Sequence, residues 1–355
     1  MLRAGAQIGI LGGGQLGRML ASAGAQLGFD VSILCPEDDC PAARVAARHV
    51  CAAYDDAATV LAWAESCDVI TYEFENVPVT AIESLVAAGH CVRPGARALE
   101  ASQDRLAEKE FLRGCGIATA DFAAIDTPGD IAEPLAAFGG QGILKTRRDG
   151  YDGKGQVRVE SGDDLEEAHH ALDHQPAILE AMVGFACEIS VIVARGADGT
   201  ARCFDVPCNQ HVNGILRRSS VPSGLSNEIE NAACAAAITL AEALDYVGVL
   251  ALEFFVLPDG GLIANEFAPR VHNSGHWTPE ACATGQFEQH MRAVAGWPLG
   301  DVTRFHDAEM LNLLGEEALA PPMQLAGEGV LTLYGKREAK PGRKMGHLVR
   351  RLGPA

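Results

Sequence analysis

The chain has 355 residues, nearly half of them apolar, enough for two or three domains with sizeable cores. Its formal charge of −19 excludes nucleic acid and anionic membrane as general partners, and no apolar run approaches the roughly 20 residues of a membrane-spanning helix. Eleven cysteines occur without a C-x-x-C pair, Cys35/Cys40 and Cys203/Cys208 have no histidine completing a zinc pattern, and residues 1–7 lack the apolar run of a secretion signal, so buried thiols in a reducing cytoplasm are expected.

Residues 7–12 form a short apolar strand that runs into three glycines. A helix over 15–27, a buried strand over 31–35, a helix over 57–65 and a strand over 69–72 follow, a βαβ pattern that predicts an α/β protein with a parallel sheet. A charged amphipathic helix over 103–114 leads into a second domain. Strands are predicted at 142–145 and 156–159, joined by a Gly-rich loop, and then at 177–180 and 188–194. Residues 228–244 read as a long Ala-rich helix, and 249–257 with 262–267 as a hairpin. Beyond Gly300 the pattern weakens, and the tail from Lys336 to Arg351 is strongly basic.

Four segments carry candidate chemistry. Gly12, Gly14 and Gly17 fit G-x-G-x-x-G between a strand and a helix, with Glu37 about 20 residues on. Three readings stand: a site for NAD in an oxidoreductase, a plain strand-to-helix turn, or a helix start whose N–H groups hold another phosphate. Lys145 closes a strand ahead of the loop 149–155, where Arg147, Arg148 and Lys154 add positive charge; the set suits a polyphosphate or is a solvated surface hairpin.

In the 249–267 hairpin, a two-residue turn centred between Asp259 and Gly260 places Glu253 directly opposite Glu266. Opposed like charges destabilise a hairpin, and a cation between them reverses the sign. Oxygen-only ligands point to Mg²⁺ or Mn²⁺, the alternative being a slipped register with both carboxylates solvated. Arg270, His272, Asn273 and Ser274 follow at once and offer donors for a small anion. His272 and His276 have a helical zinc spacing, but Pro269 and Gly275 argue for a loop.

Lys145, the loop 150–155, Glu180, Val183, Glu188, Asn265 and Glu266 resemble, in order and spacing, the ATP-grasp enzymes. The runs 13–19, 71–77, 150–156, 213–217, 265–277 and 341–347 are similar to those of the N5-carboxyaminoimidazole ribonucleotide synthetases, over nearly the whole chain. The resemblance implies an ATP-grasp fold. Its parts are a Rossmann-like pre-ATP-grasp domain over 1–100, an ATP-grasp domain over 101–299 with a lid at about 115–183, and a small C-terminal domain over 300–355. It implies a ligase that uses ATP, bicarbonate and 5-aminoimidazole ribonucleotide (AIR), working as a homodimer. A formate-dependent ribonucleotide transformylase is the nearest rival.

By motif position the resemblance assigns ATP to Arg105, Lys145, Gly150, Tyr151, Asp152, Gly153, Lys154, Gly155, Gln156, Glu180, Val183, Glu188, His211, Asn265 and Glu266. Magnesium falls to Glu253 and Glu266. Arg270, His272, Asn273 and Ser274 hold bicarbonate and, with Asp152 and Lys336, serve the carboxylation. AIR falls to Gln15, Leu16, Glu75, Tyr151, Asp152, Lys154, Lys336, Arg343 and Lys344, with its phosphate on the first glycine motif. One departure is Arg148-Asp149-Gly150, where many members carry an extra glycine, which implies altered lid flexibility.

Overall fold

The computed structural model describes residues 1–150, 154–319, 327 and 329–354. The first hundred residues hold β1 (Gln7–Leu11), α1 (Gln15–Gln26), β2 (Asp30–Cys35), β3 (Arg48–Cys51), α2 (Ala57–Ala64), β4 (Val69–Tyr72), α3 (Val79–Ala87) and α4 (Ala96–Ser102). The strands form a parallel sheet in the order β3-β2-β1-β4. β1, β2 and β4 are almost continuously apolar because helices bury both faces of a parallel sheet.

α5 (Arg105–Gly114) leads out of this unit. Asp104 caps it, its carboxylate accepting from the N–H groups of Leu106 and Ala107. The same carboxylate pairs with Arg147 at 2.8 Å and Arg148 at 3.4 Å, so these two arginines, expected to serve a polyphosphate, also brace the helix start, and Arg147 lines the cavity described below.

Next come β5 (Phe122–Ile125), α6 (Ala132–Ala137), β6 (Gln141–Thr146), β7 (Gln156–Glu160), α7 (Leu165–His170) and β8 (Ala177–Ala181). Their antiparallel sheet runs β5-β8-β6-β7. Residues 151–153 of the Gly-rich loop between β6 and β7, with the expectations placed on Tyr151, Asp152 and Gly153, lie outside the described residues. Asp149 has φ +61°, a left-handed conformation that aspartate tolerates better than most residues, so the loop follows there a path open to glycine.

The central sheet takes β9 (Cys187–Arg195), β10 (Ala201–Cys203), β11 (Cys208–Val212), β12 (Ile215–Val221), β13 (Gly248–Val256), β14 (Leu262–Ala268), β15 (His306–Leu314), β16 (Val330–Leu333) and β17 (Lys344–Pro354). Its order is β14-β13-β9-β11-β12-β15-β17-β16, with β10 beside β9. The strands beyond residue 300 therefore extend this sheet. α8 (Asn227–Ala243) buries Ala233, Ala237, Leu240 and Ala241 against one face, a helical spacing of small residues that permits close approach. α9 (Thr278–Ala281) and α10 (Gln286–Val294) cover the other face. There Met291 and Val294 share a core with Ile8 and Ile33 of the parallel sheet and with Val249 and Val349. That shared core fixes the first domain against the central sheet. No described helix is long and apolar enough to cross a membrane.

The β13–β14 hairpin corrects the expected register. Its turn is one residue longer: Leu257 N–H donates to Gly261 O at 2.8 Å, and Gly260 takes φ +89°. Phe254, Phe255 and Val256 therefore pair with Ala264, Ile263 and Leu262. A bulge between Leu252 and Phe254 then restores the expected pairing, Leu252 with Phe267 and Ala251 with Ala268. Glu253 is not opposed to Glu266 in a regular ladder. It faces a bulged strand on which Asn265 and Glu266 share the opposing position.

Candidate active site

A cavity of about 500 Å³ opens where α5, the two antiparallel sheets and the start of β17 meet. Its floor is the bulged hairpin. Glu266 Oε2 accepts from Arg105 Nη1 at 3.0 Å, and Glu253 Oε1 lies 3.3 Å from His272 Nε2. Burial and then the charge of Glu266 push the Glu253 carboxyl up to about 7. Against burial, Arg105 and Lys145 hold Glu266 below the usual carboxylate range. Two carboxylates, one of them destabilised by the other, are a hard-oxygen donor set whose repulsion a divalent cation relieves. The residues thus fit Mg²⁺ or Mn²⁺.

This strain gives an expected outcome. In metal-free protein at pH 8, Glu253→Gln raises unfolding free energy on the order of 2 kcal/mol, because it removes a charge whose folded-state pKa is raised. The cost of that charge is complete above the folded pKa and vanishes below the unfolded one. The gain therefore shrinks as pH falls from about 7 toward the ordinary glutamate value, and urea unfolding across that range checks it.

Lys145, closing β6, lines the next wall. Its ammonium lies 3.1 Å from Glu180 Oε1, and Glu180 Oε2 lies 3.1 Å from the ammonium of Lys109, which donates to Asn265 O at 2.6 Å. Glu180, assigned to ATP, lies beneath the cavity as the centre of this buried triad. Burial lowers the Lys145 pKa and Glu180 opposes that shift. Glu108, one residue before Lys109, accepts from Phe267 N–H, and burial followed by Glu266 pushes its carboxyl up to about 8. Glu108 and Lys109 escaped the sequence reading. Their signal is a helical stripe through Arg105, Glu108, Lys109 and Leu112, which puts charges where only apolar residues are expected.

Glu188 on β9 pairs with His211 on β11. Burial opposes protonation of His211, but that hydrogen bond and the charges of Glu253 and Glu188 raise its pKa. Phe185 and Phe255 stack at 4.7 Å and give the cavity an apolar wall. Beside the Gly-rich loop, Gly150 O accepts from Arg105 Nη2 at 3.1 Å, and Gly150 and Gln156 line the cavity. Lys154 is exposed beside Gly155, which has φ +68°; neither of these nor the half-buried Val183 reaches the cavity wall.

The turn after β14 divides its tasks. Arg270 forms a two-bonded pair with Glu75, which holds that carboxyl at about 2 despite burial. Asn273 lines the cavity with both side-chain polar atoms buried and unpartnered, a feature that calls for a ligand. Ser274 is wholly buried and does not face the cavity, contrary to its assignment to bicarbonate. It ends a directed chain: Ser219 donates to Asn209, Asn209 to Ser190, and Ser190 to Ser274 at 2.6 Å. His272 Nδ1 accepts from the Ser274 hydroxyl at 2.9 Å and from its N–H at 3.4 Å, which leaves the proton on Nε2 facing Glu253. Burial, then Arg270 and Lys344, keep this imidazole neutral.

The glycine motif is a strand-to-helix turn, joining β1 to α1, and the protein itself supplies an anion there. The Glu73 carboxylate accepts from the N–H groups of Gly14 and Gly17, so an internal anion occupies the start of α1. A Cβ on Gly14 would stand 2.7 Å from Glu73 Oε1, which is why glycine is required there. Burial raises the Glu73 pKa, against those two N–H groups and the charges of Arg270 and Lys336. Leu16 packs into the core and offers no side chain to a substrate, while Gln15 is half-buried in the first turn of α1. In the basic tail, Gly342 (φ +74°) turns the chain. Lys344 lines the cavity, Lys336 donates to Lys344 O at 2.8 Å, and Arg343 is exposed and donates to Glu338 O.

Comparison with known proteins gives the family. Residues 5–103 match the ribonucleotide synthetase preATP-grasp domain, 110–287 the ATP-grasp domain, and 308–350 the phosphoribosylaminoimidazole carboxylase C-terminal domain. The N5-carboxyaminoimidazole ribonucleotide synthase of Brucella melitensis is 54% identical over 352 residues, 98% of this chain and 97% of that protein. That of Bacillus subtilis is 41% identical, covering 97% and 91%. The Aspergillus clavatus synthase, solved with ADP and 5-aminoimidazole ribonucleotide, superposes with a TM-score of 0.92 at 32% identity, covering 99% and 94%. These matches leave the NAD reading without support, and the chain belongs to the N5-carboxyaminoimidazole ribonucleotide synthase family of ATP-grasp enzymes.

Proposed function

We infer that this chain carboxylates AIR with ATP and bicarbonate to give N5-carboxyaminoimidazole ribonucleotide, ADP and phosphate, a step of purine biosynthesis. The observation that carries the chemistry is the convergence, on one cavity of an acidic protein, of the Glu253/Glu266 pair, Lys145, Arg105 and the Arg270–Asn273 turn. In this reading ATP phosphorylates bicarbonate to carboxyphosphate, whose carboxyl group passes to the N5 amine of AIR.

The adenine lies against Phe185 and Phe255, the ribose hydroxyls meet Glu188, and the phosphates run toward Lys145 under the loop that holds Gly150 and Gln156. Glu253 and Glu266 would hold Mg²⁺ or Mn²⁺, which neutralises charge developing between phosphate oxygens. Asn273, with its unpartnered amide, receives bicarbonate, Arg270, fixed by Glu75, supplies positive charge beside it, and His272 turns its Nε2–H toward Glu253. A neutral His272 would not repel the cation that the two carboxylates would hold, and the Ser274 chain holds its tautomer. AIR takes the side between Glu75 and Lys344, with Lys336 and Glu73 beyond. The homodimer rests on the family resemblance alone.

Kinetics on the tail tests the placement of AIR. Lys344→Ala raises the KM for AIR by roughly 10–150-fold, the loss of one charge-assisted hydrogen bond, with little change for ATP. Arg343→Ala, whose side chain faces away from the cavity, changes either constant by less than about threefold, within the range of ordinary surface substitutions. Steady-state kinetics with each substrate varied in turn decides it; equal effects of Lys344→Ala on ATP and AIR would remove the tail from the AIR side.

A further inference from the structure

Directly beneath the glycine turn lies a cluster that the reaction does not use. Cys35 ends β2, Cys40 sits in the following loop, and His49 lies on β3. Cys35 Sγ is 3.0 Å from Cys40 Sγ and 3.4 Å from His49 Nε2. Among the described residues this is the one group of three or more histidine, cysteine or carboxylate side chains whose donor atoms all lie within 4.8 Å of one another. The parallel pairing explains why spacing alone hid it. His49 sits opposite Ile33, two residues before Cys35 and therefore on the same face of the sheet.

We propose that Cys35, Cys40 and His49 bind a soft divalent cation of the Zn²⁺ class. Two thiolates and an imidazole are the N/S donors such a cation selects, and they exclude Mg²⁺, which prefers oxygen. Binding releases one proton from each thiol, forms two metal–sulfur bonds and one metal–nitrogen bond to neutral His49, and consumes no oxidant. Zn–S bonds of about 2.3 Å in a tetrahedral site require the two sulfurs to separate by several tenths of an ångström. Three protein ligands leave a fourth position. Glu37 O, 3.3 Å from Cys35 Sγ, or a water fills it.

The position gives the cation a structural task. A Cβ on Gly13 would stand 2.5 Å from Cys35 Sγ and 2.4 Å from Cys40 Sγ, so the turn rests on the sulfur pair. The loop between the two cysteines carries Asp39, which pairs with Arg44 and with Arg337, and Arg44 donates to Gly335 O at 2.7 Å. Pinning Cys35, Cys40 and His49 together therefore steadies both the head of α1 and the segment that carries Lys336.

The full-length protein, reduced and freed of metal, is titrated with Co²⁺. The proposal expects a thiolate-to-cobalt charge-transfer band and tetrahedral visible bands that saturate at one equivalent and disappear on adding Zn²⁺. The Cys35→Ser/Cys40→Ser double variant loses the charge-transfer band, while Glu266→Gln keeps it, since carboxylates give none. His49→Gln, a change at a half-buried position that spares the core, keeps the band. It weakens Co²⁺ binding by more than the roughly 10–100-fold that loss of an outer-shell partner costs. Absence of the band in the reduced protein, or its survival in the Cys35→Ser/Cys40→Ser double variant, overturns the proposal. So does peptide mapping that finds Cys35 and Cys40 joined as a disulfide in protein isolated without reductant.

Discussion

Glu266→Gln lowers kcat by roughly 10²–10⁴, the several kcal/mol that a divalent cation contributes to charge stabilisation in phosphoryl transfer. The fold survives this change. Glu266 is the more exposed of the two floor carboxylates, 44% against 15% for Glu253, and the glutamine oxygen still accepts from Arg105 at the 3.0 Å position. What is lost is one negative charge of a pair. The stability gain belongs to Glu253→Gln instead, because Arg105 and Lys145 already compensate Glu266 while burial and Glu266 strain Glu253. ATP turnover at saturating Mg²⁺, with melting temperature as the control for folding, checks both halves. Near-normal turnover would show that the two carboxylates do not hold the metal.

Glu180→Ala destabilises the protein by about 3–5 kcal/mol, since it leaves buried ammonium groups without their counter-charge. The side chains of Lys109, Glu180 and Lys145 are only 2%, 5% and 10% exposed, so water cannot replace the missing carboxylate. Glu180 also holds the Lys145 ammonium at the cavity wall, so the surviving folded protein binds ATP more weakly. Urea unfolding at neutral pH gives the stability, and ATP titration gives the binding. A loss under about 1 kcal/mol would place the triad among the surface pairs that contribute little.

Local patterns made much of this readable in the chain. β1, α1, β2 and β4 follow from apolar runs punctuated by glycine, because a parallel sheet needs both faces buried. The hairpin carrying Glu253 and Glu266 was legible as a pair of strands but not in its register. Whether a turn has two or three residues, and whether a bulge offsets the extra one, is settled by packing and not by spacing. The β11–β12 hairpin went unread although Asn213 and Gly214 carry the left-handed φ values, +52° and +75°, of a two-residue turn. Its strands, CNQHV and ILRRSSV, alternate poorly, because their polar residues serve the His211 pair and the Asn209–Ser219 chain.

Long-range placement escaped the sequence for the same reason throughout. Glu73 reaches the head of α1 from 59 residues away in the chain, and His49 reaches Cys35 across parallel strands. Ser274 looked like a ligand because serine beside histidine and asparagine is polar, yet it supports His272 from behind. Resemblance named the candidate residues; the fold separates those that line the cavity from those that hold them in place.

The most direct test of acyl-phosphate activation follows oxygen. The enzyme is given ATP, Mg²⁺, AIR and bicarbonate labelled with ¹⁸O, and the inorganic phosphate is analysed by mass spectrometry. Carboxyphosphate chemistry transfers one bicarbonate oxygen to each phosphate released, and turnover stops when formate replaces bicarbonate. Phosphate free of label during carboxylation, or sustained turnover with formate, would contradict it.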